Sequence, residues 1–516
     1  MKTKCFQKII LPSLLVSLAV GIAHADDKKL DLKIKAYTAV YLTENTDFRE
    51  LDESTDRAVI DSDDRHLFGH SDIGATIHYE PHSQVTLDTQ LRYNVMWRED
   101  QLGRSEGASG RLGVYTLSMD YTPADKVRFR LGRQAFKIGG VPTDYMLAGT
   151  LDALTASADF GAAGRLRILA IDFFGGNGLP ETGYRYYRDG RQTTYNLRGE
   201  TNTLRTGLIY EYDEQASKRI PLDFRAYYFY ATIGGGPIEE SGSDITFGGA
   251  LGNYRDADYQ HLAGGRFGYT GQFASLKARV FGEYARSMGV DRKNPNDRDV
   301  KTDGNAYGGG LVLETAKQNS ATRFALMADW YHFDGAKHAS DGLEFERGFV
   351  GFKGARIGGN TVGRFMAWRP ASHVDAAGVI HAPHDQARVS GTEFVHAGLH
   401  LKHRAFKLNL DWWLLKDTSM TFLDLSRLES LPRVPFGHTK PEFAAQERLG
   451  NDLGQALDLG VTFEANEVLS IIGGLGVFLP GDYYAIAVDR VAGDQNTSLG
   501  GTAKFIAGWL GAQVGF

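Results

Sequence analysis

Basic side chains recur at alternate positions in segments of this chain whose intervening positions are apolar. In segment 405–415, for example, apolar residues alternate with Lys407, Asn409 and Asp411. Arginine and lysine in such rows can bind anions. Arginine does so best, because its planar guanidinium donates two parallel hydrogen bonds to a carboxylate and keeps its charge at any physiological pH. The chemistry available at these positions is therefore the binding or pairing of negative charge.

The candidates for an anion path are the basic residues on the polar faces of these segments. Arg128, Arg130 and Arg133 form the favoured cluster, because no acid lies between them in the sequence. Arg133 has the opposite parity and joins the other two only if Gly132 permits a β-bulge. The full candidate set is Arg92, Arg128, Arg130, Arg133, Arg205, Arg225, Arg279, Arg323 and Lys407.

A second interpretation of these rows stays open, because acids on the same faces nearly balance the bases. Glu283 follows Lys277 and Arg279 on one face, which favours cross-strand ion pairs that brace a sheet rather than bind a solute. The acids on these faces are Asp88, Asp120, Glu211, Asp223, Glu283, Glu314, Asp329 and Asp411.

Catalysis and metal binding are not expected. The only cysteine, Cys5, precedes an apolar export segment and would be removed with it, so no thiol remains. Serine, histidine and aspartate are all present, but a catalytic triad cannot be read from residues scattered along the chain. His396 and His400 share a predicted strand face but stand about 13 Å apart there, too far for one ion to bridge. We therefore predict no enzyme, no cofactor and no metal site.

The elements that must position these side chains are alternating segments of about ten residues, the length of a tilted membrane strand. Long polar connections such as 175–201 and 334–391 alternate along the chain with turns as short as 403–404. The pattern predicts an all-β fold, a single transmembrane antiparallel β-barrel of about 18 strands with short periplasmic turns and long extracellular loops. Segment 344–368 is either one more hairpin, giving 20 strands, or part of a loop.

Both ends of the chain favour export and membrane insertion. Lys2, Lys4 and Lys8 precede the apolar run 9–22, and Ala23-His24-Ala25 has the form of a cleavage site, which predicts a signal peptide over residues 1–25. The last residues alternate up to Phe516, as the closing strand of an outer-membrane barrel does. We therefore expect residues 26–516 to form one barrel in the outer membrane of a Gram-negative bacterium.

Composition narrows the classes of function further. Residues 1–25 hold three of the 57 Lys+Arg and none of the 63 Asp+Glu, so the remaining chain has a formal net charge of −9. That balance argues against nucleic acid as a partner. No later stretch approaches about 18 uninterrupted apolar residues, so no transmembrane helix is expected.

Several short motifs resemble the alginate-export family of outer-membrane β-barrels. They are Phe129-Arg130-Leu131-Gly132-Arg133-Gln134, Leu151-Asp152-Ala153-Leu154, Leu453-Gly454-Gln455-Ala456-Leu457-Asp458-Leu459 and Phe478-Leu479-Pro480-Gly481-Asp482. The resemblance implies an 18-stranded barrel whose basic lumen passes an anionic polysaccharide outward. The sequence departs from the exporter at Ala135, where that protein carries an arginine, and at Tyr115-Thr116-Leu117, where it carries an Arg-Glu pair.

Two functions follow from the resemblance and its departures. The first is passive export or diffusion of an alginate-like polysaccharide or a related organic anion. The second is a general or small-substrate porin on the same scaffold. The expected partners are the anionic polysaccharide or small anions, outer-membrane lipid and lipopolysaccharide, and periplasmic export proteins.

Overall fold

The computed structural model describes the strands of the chain and the residues adjoining them. Of the chain, these residues are described: 29–44, 66–97, 109–138, 147–173, 185–188, 191–194, 203–212, 221–234, 257–291, 300–316, 321–335, 337–338, 344–346, 348–349, 361–362, 373–374, 380–381, 391–418, 422–423, 447–448, 451–481 and 504–516. The predicted signal peptide, residues 1–25, lies outside them.

Long strands dominate the described residues, and Gly161–Ala163 form one turn of 3-10 helix. No helix in the described part of the chain is long and apolar enough to cross a bilayer. The strands are β1 (Lys29–Glu44), β2 (His66–His82), β3 (Val85–Trp97), β4 (Ser109–Ala124), β5 (Val127–Ile138), β6 (Leu147–Asp159), β7 (Arg165–Phe173), β8 (Arg185–Arg188), β9 (Arg191–Thr194), β10 (Thr203–Tyr212), β11 (Leu222–Gly234), β12 (Ala257–Phe273), β13 (Leu276–Asp291), β14 (Val300–Thr315), β15 (Thr322–Phe333), β16 (Lys337–His338), β17 (Glu344–Glu346), β18 (His373–Val374), β19 (Ile380–His381), β20 (Thr392–His403), β21 (Phe406–Asp417), β22 (Phe422–Leu423), β23 (Glu447–Arg448), β24 (Asp452–Glu464), β25 (Leu469–Pro480) and β26 (Phe505–Gly515).

Eighteen of these strands close into one antiparallel barrel. Each pairs with the next long strand along the chain, and β26 returns to pair with β1. At this seam Ile34 and Phe516 exchange backbone hydrogen bonds of 3.1 and 2.9 Å. Closure leaves no unpaired sheet edge, the condition for a sheet to lie in lipid. The prediction of an 18-stranded barrel is confirmed.

The alternative of 20 strands fails, because the extra hairpin does not cross the membrane. Within the long connection that follows β15, the three-residue strand Glu344–Glu346 pairs with Lys337–His338 and touches the barrel through one parallel pair with Lys301. These short strands extend the sheet at its rim only. The described residues of segment 344–368 therefore belong to a loop.

The connections divide the barrel into two unlike ends. At one end the strands are joined by tight turns, and two non-glycine residues in these turns, Ala274 and Arg404, take positive φ angles of 52° and 50°. At the other end lie the long connections, including residues 334–391 between β15 and β20. Outer-membrane barrels place short turns in the periplasm and long loops outside, which orients the molecule.

The outer surface of the barrel is apolar, as the alternation predicts. Leu131, Val280 and Leu510 are exposed by more than half on this side, whereas their neighbours in sequence point inward. An apolar band of this kind matches lipid rather than water. The prediction that the apolar face of each strand points outward is therefore confirmed.

The inner face of the barrel is not uniformly polar. Towards the extracellular end the inward residues form a buried apolar cluster that runs from β5 to β26 and includes Ile171, Phe229 and Phe394. Charged side chains concentrate in the periplasmic half instead. Alternation alone could not reveal this division, because a strand pattern specifies which residues point inward but not whether they meet water or other side chains.

Candidate functional site

The periplasmic half of the lumen is lined by arginines and lysines bound to carboxylates. On β4 and β5, Asp120 accepts from Arg128 at 2.5 Å and from Arg130 at 2.7 Å, and Asp88 lies 3.6 Å from Arg130. Although no acid lies between these arginines in the sequence, Asp120 from the preceding strand and Asp88 from β3 neutralise them. Asp120 is nearly buried, whereas Arg128 remains half exposed to the lumen.

A second cluster on β7, β10 and β11 holds more positive than negative charge. Glu211 accepts from Arg167 at 2.8 Å and from Arg225 at 3.0 Å, so one carboxylate serves two guanidinium groups. Each cation in this cluster is about a quarter to a third exposed. One positive charge is left without a matching carboxylate within this cluster.

A third cluster, on β20, β21 and β24, also has two cations for one carboxylate, and here the cations are lysines. Lys402 and Lys407 are direct cross-strand neighbours, and both reach Glu464, at 3.4 and 2.5 Å. Like charges placed opposite one another repel, so the shared carboxylate offsets only part of that cost.

Other candidate residues form one-to-one pairs. Arg279 donates to Asp223 at 2.8 Å rather than to Glu283, and Lys277 lies 3.6 Å from Glu314. Arg92 forms an ion pair with Asp72 and stacks over the Tyr115 ring at 4.7 Å. These contacts are the cross-strand bracing pairs of the second sequence interpretation.

Three candidates need separate comment. Arg323 points into the lumen on β15 and has no ion-pair partner among the described residues. Arg205 lies on β10, but its side chain falls outside the described part of the structure. Arg133 must be corrected: no bulge occurs at Gly132, so the side chain stays on the outer face and pairs with Asp152 at 3.2 Å.

Buried polar groups lie on the inner face of the barrel at mid-height. We call this set the belt; it consists of Arg266, Asp329, His396, Asp411 and Asp458. His396 of β20 bridges two carboxylates, with Nδ1 at 2.9 Å from Asp329 and Nε2 at 3.0 Å from Asp411. His400 also reaches Asp411, at 3.1 Å, and the His396 ring stacks on Trp413 at 4.2 Å between centroids. Both His396 nitrogens are thus occupied by acids, and no metal-binding group occurs among the described residues.

Two arginines that matter here are absent from the sequence candidates. Arg167 belongs to the Glu211 cluster, and Arg266 lies buried in the belt with its guanidinium 4.3 Å from the Phe281 ring centroid. Arg167 shares parity with Arg165 and with the buried Leu169, a signal that could have placed it inward. Arg266 lies in a glycine-rich stretch with little apolar alternation, which hides its direction.

The belt also holds part of the long extracellular connection inside the barrel. Asp458 of β24 accepts from the backbone nitrogens of Thr361 at 2.5 Å and Val362 at 3.0 Å, and the indole of Trp509 donates to the Thr361 hydroxyl at 3.2 Å. We call this group, Thr361, Val362, Asp458 and Trp509, the loop clasp. Glycine at 476 leaves the space for it, since a Cβ there would lie 2.6 Å from a Val362 methyl.

The same connection makes a second contact with the inner wall, at β13 and β15. Phe349 is fully buried and packs against Phe333 at 5.7 Å between ring centroids. Ser287 of β13 donates to the carbonyl of Gly348 at 3.3 Å. The described residues of this connection therefore pack on the inner wall at two places, beside β13 and β15 and beside β24 to β26, and they narrow the lumen there.

No family model matches the chain, and no curated protein matches it either. Among solved structures, OccAB2 of Acinetobacter baumannii is 7% identical, with 95% of this chain and 98% of that chain covered at a TM-score of 0.47. OpdL of Pseudomonas aeruginosa is 9% identical, with 95% and 99% covered at 0.45. The outer membrane protein OprD of Pseudomonas aeruginosa is 9% identical, with 94% and 93% covered at 0.45.

The closed sheet and its apolar exterior support the resemblance to the alginate-export family only as far as an outer-membrane β-barrel. A closed sheet with an apolar exterior is the one sheet architecture that satisfies its backbone groups within a bilayer. The chain is an outer-membrane barrel of a Gram-negative bacterium, and its cargo must be argued from its own lumen.

Proposed function

We propose that the protein is a passive outer-membrane channel for small solutes that favours anions. An 18-stranded barrel is wide enough to enclose water, and inward loop residues then reduce the passage to the size of small molecules. Diffusion down a gradient needs no nucleotide and no periplasmic partner.

The observation that carries this proposal is the sharing of one carboxylate by two cations. At Glu211 and again at Glu464, two basic groups meet a single acid, and Arg323 adds an inward cation with no ion-pair partner among the described residues. Because these groups remain partly exposed, an anion in the lumen can bind them weakly and leave again, as conduction requires.

Export of an alginate-like polysaccharide has less support than this small-substrate function. A polymer needs a continuous open path through the whole barrel, whereas Phe349 and Val362 pack inside it. The arginines that suggested a polyanion path are also largely committed to ion pairs. Enzymatic activity is not proposed, because the lumen clusters described here hold no nucleophile beside a base.

The test is ion selectivity of the full-length protein in planar bilayers under a salt gradient. A double variant, Arg167→Ala with Arg225→Ala, removes both cations that Glu211 binds. It should lower the anion-to-cation permeability ratio about five- to thirtyfold, since each of the two charges lies a few ångströms from a wet path and is worth roughly 0.5–1 kcal/mol. Arg133→Ala is the matched control, because its ion pair lies on the outer face.

Liposome swelling then separates the two sizes of cargo. Small organic anions should enter faster than neutral sugars of similar size, and uronate oligomers should be excluded. Selectivity that does not change in the double variant, or entry of the oligomers at the rate of single units, would contradict the proposal.

A further inference from the structure

A polar and aromatic notch lies on the lipid-facing side of the barrel, outside the lumen site. It is formed by Thr206 of β10, Tyr228 and Tyr230 of β11, and Tyr259 and His261 of β12. Tyr228 is 46% exposed, while its neighbours Tyr227 and Phe229 are buried on the inner side, so the notch opens outward. We call these five residues the tyrosine–histidine notch.

The strand register brings the notch together. Thr206 lies opposite Tyr230, and Tyr230 lies opposite His261, so three strands contribute to one row. The His261 ring is 4.9 Å from that of Tyr230 and 5.7 Å from that of Tyr259, between centroids. The Tyr228 hydroxyl lies 2.8 Å from His261 Nδ1, and Nε2 has no hydrogen-bond partner among the described residues.

The height of the notch places it at the outer border of the membrane. On β12, exposed Phe273 lies beside the periplasmic turn and His261 lies twelve positions further along the strand. At roughly 3.3 Å per residue and a tilt near 40°, this separation is about 30 Å along the membrane normal, slightly more than the apolar band of about 25 Å. The notch therefore faces the headgroup layer of the outer leaflet.

Cations stand beside the notch on the same outer face. Arg286 of β13 is the cross-strand neighbour of Ala263 and pairs with Asp303 at 3.0 Å, with both side chains about half exposed. Lys301 of β14 is exposed and lies two strands from Tyr259, about 10 Å away at the usual strand spacing. The surface thus offers aromatic faces, a free ring nitrogen and positive charge within the span of a disaccharide.

We propose that the tyrosine–histidine notch binds the phosphorylated disaccharide headgroup of a lipopolysaccharide molecule. Tyrosine rings stack on the faces of sugar rings, and His261 with Lys301 provides donors for a phosphate oxygen. A phospholipid headgroup has no sugar ring to stack, which is why a glycolipid is the favoured occupant. The inference rests on the orientation of the barrel and not on its cargo.

The test is native mass spectrometry of the full-length protein released from detergent with lipid A, dephosphorylated lipid A or phosphatidylethanolamine. Lipid A should bind most tightly. The double variant Tyr230→Leu with His261→Ala should weaken its binding about tenfold, the equivalent of one charge-assisted hydrogen bond. Lys301→Gln should weaken the binding of lipid A but leave the binding of dephosphorylated lipid A unchanged.

The matched control uses the same strand and the same face nearer the periplasm. Phe267→Leu with Tyr269→Leu removes two outward aromatic rings, which are both about half exposed, and should leave lipid A binding unchanged. Equal binding of the three lipids, or equal loss in the control, would overturn the proposal. Bilayer selectivity should be the same in all these variants, so failure here is distinct from failure of the proposed channel function.

Discussion

Removing the charge of the loop clasp should loosen the loop inside the lumen. The residue Asp458 is 2% exposed, and its carboxylate accepts hydrogen bonds from Thr361 and Val362 at the places where the long connection enters the barrel. In Asp458→Asn the side chain keeps its shape, and its amide oxygen can still accept from both backbone nitrogens. The negative charge is lost, together with the hydrogen bond that the Thr361 hydroxyl donates to Oδ1 at 3.3 Å.

The structure sets the size of this effect. A hydrogen bond to a charged group contributes about 1 kcal/mol more than one between neutral groups, so two such bonds lose about 2 kcal/mol. At 1.4 kcal/mol per factor of ten, the population of the released loop should rise roughly thirtyfold. Single-channel recording should therefore show frequent transitions to a larger conductance.

A steric variant tests the same contact by another route. In Gly476→Val the new side chain would collide with Val362, whose methyl lies 2.6 Å from the position of the added Cβ, so the loop should again be displaced. Asp223→Asn is the control, because it breaks the ion pair with Arg279 at 2.8 Å without touching the clasp. If both clasp variants keep the conductance and the current noise of the parent protein, the loop does not limit the passage and the reasoning is refuted.

Two further predictions concern the charged clusters. Glu211→Gln leaves Arg167 and Arg225 without their shared acid, so the anion-to-cation permeability ratio should rise about two- to fivefold in bilayers; an unchanged ratio would show that ions do not pass this cluster. His396→Leu leaves two buried carboxylates without the imidazole that bridges them. This should lower the free energy of unfolding by about 3–5 kcal/mol, measured by denaturant unfolding from lipid vesicles. A second substitution, Asp329→Asn, should restore part of that loss.

The class of fold could be read from the sequence because its signal is local. In strand Phe406–Asp417 the side chains alternate between lipid and lumen, and period-two alternation needs no knowledge of the neighbouring strands. Turn lengths gave the orientation in the same way, and the even strand number followed from it. The 344–368 segment was ambiguous, because a short alternating stretch does not specify whether it joins the barrel or a loop.

The candidate site could be predicted only as a set of inward cations. Which of them keep an unmatched charge depends on partners that strand pairing brings together: Arg128 meets Asp120 across a turn, but Arg167 meets Glu211 only after β7 and β10 pair. Arg133 was assigned to the lumen on a bulge that does not form.

The sequence by itself determined that this chain forms alternating strands of membrane-spanning length, since alternation depends only on neighbours along the strand. The tertiary structure alone decided where the lumen is packed and where it stays charged. Thr361 and Asp458 are 97 residues apart in sequence, yet the Asp458 carboxylate accepts from the Thr361 backbone nitrogen and holds the loop against the wall. Only the closed barrel brings these groups within contact distance, and contact distance governs both packing and charge pairing.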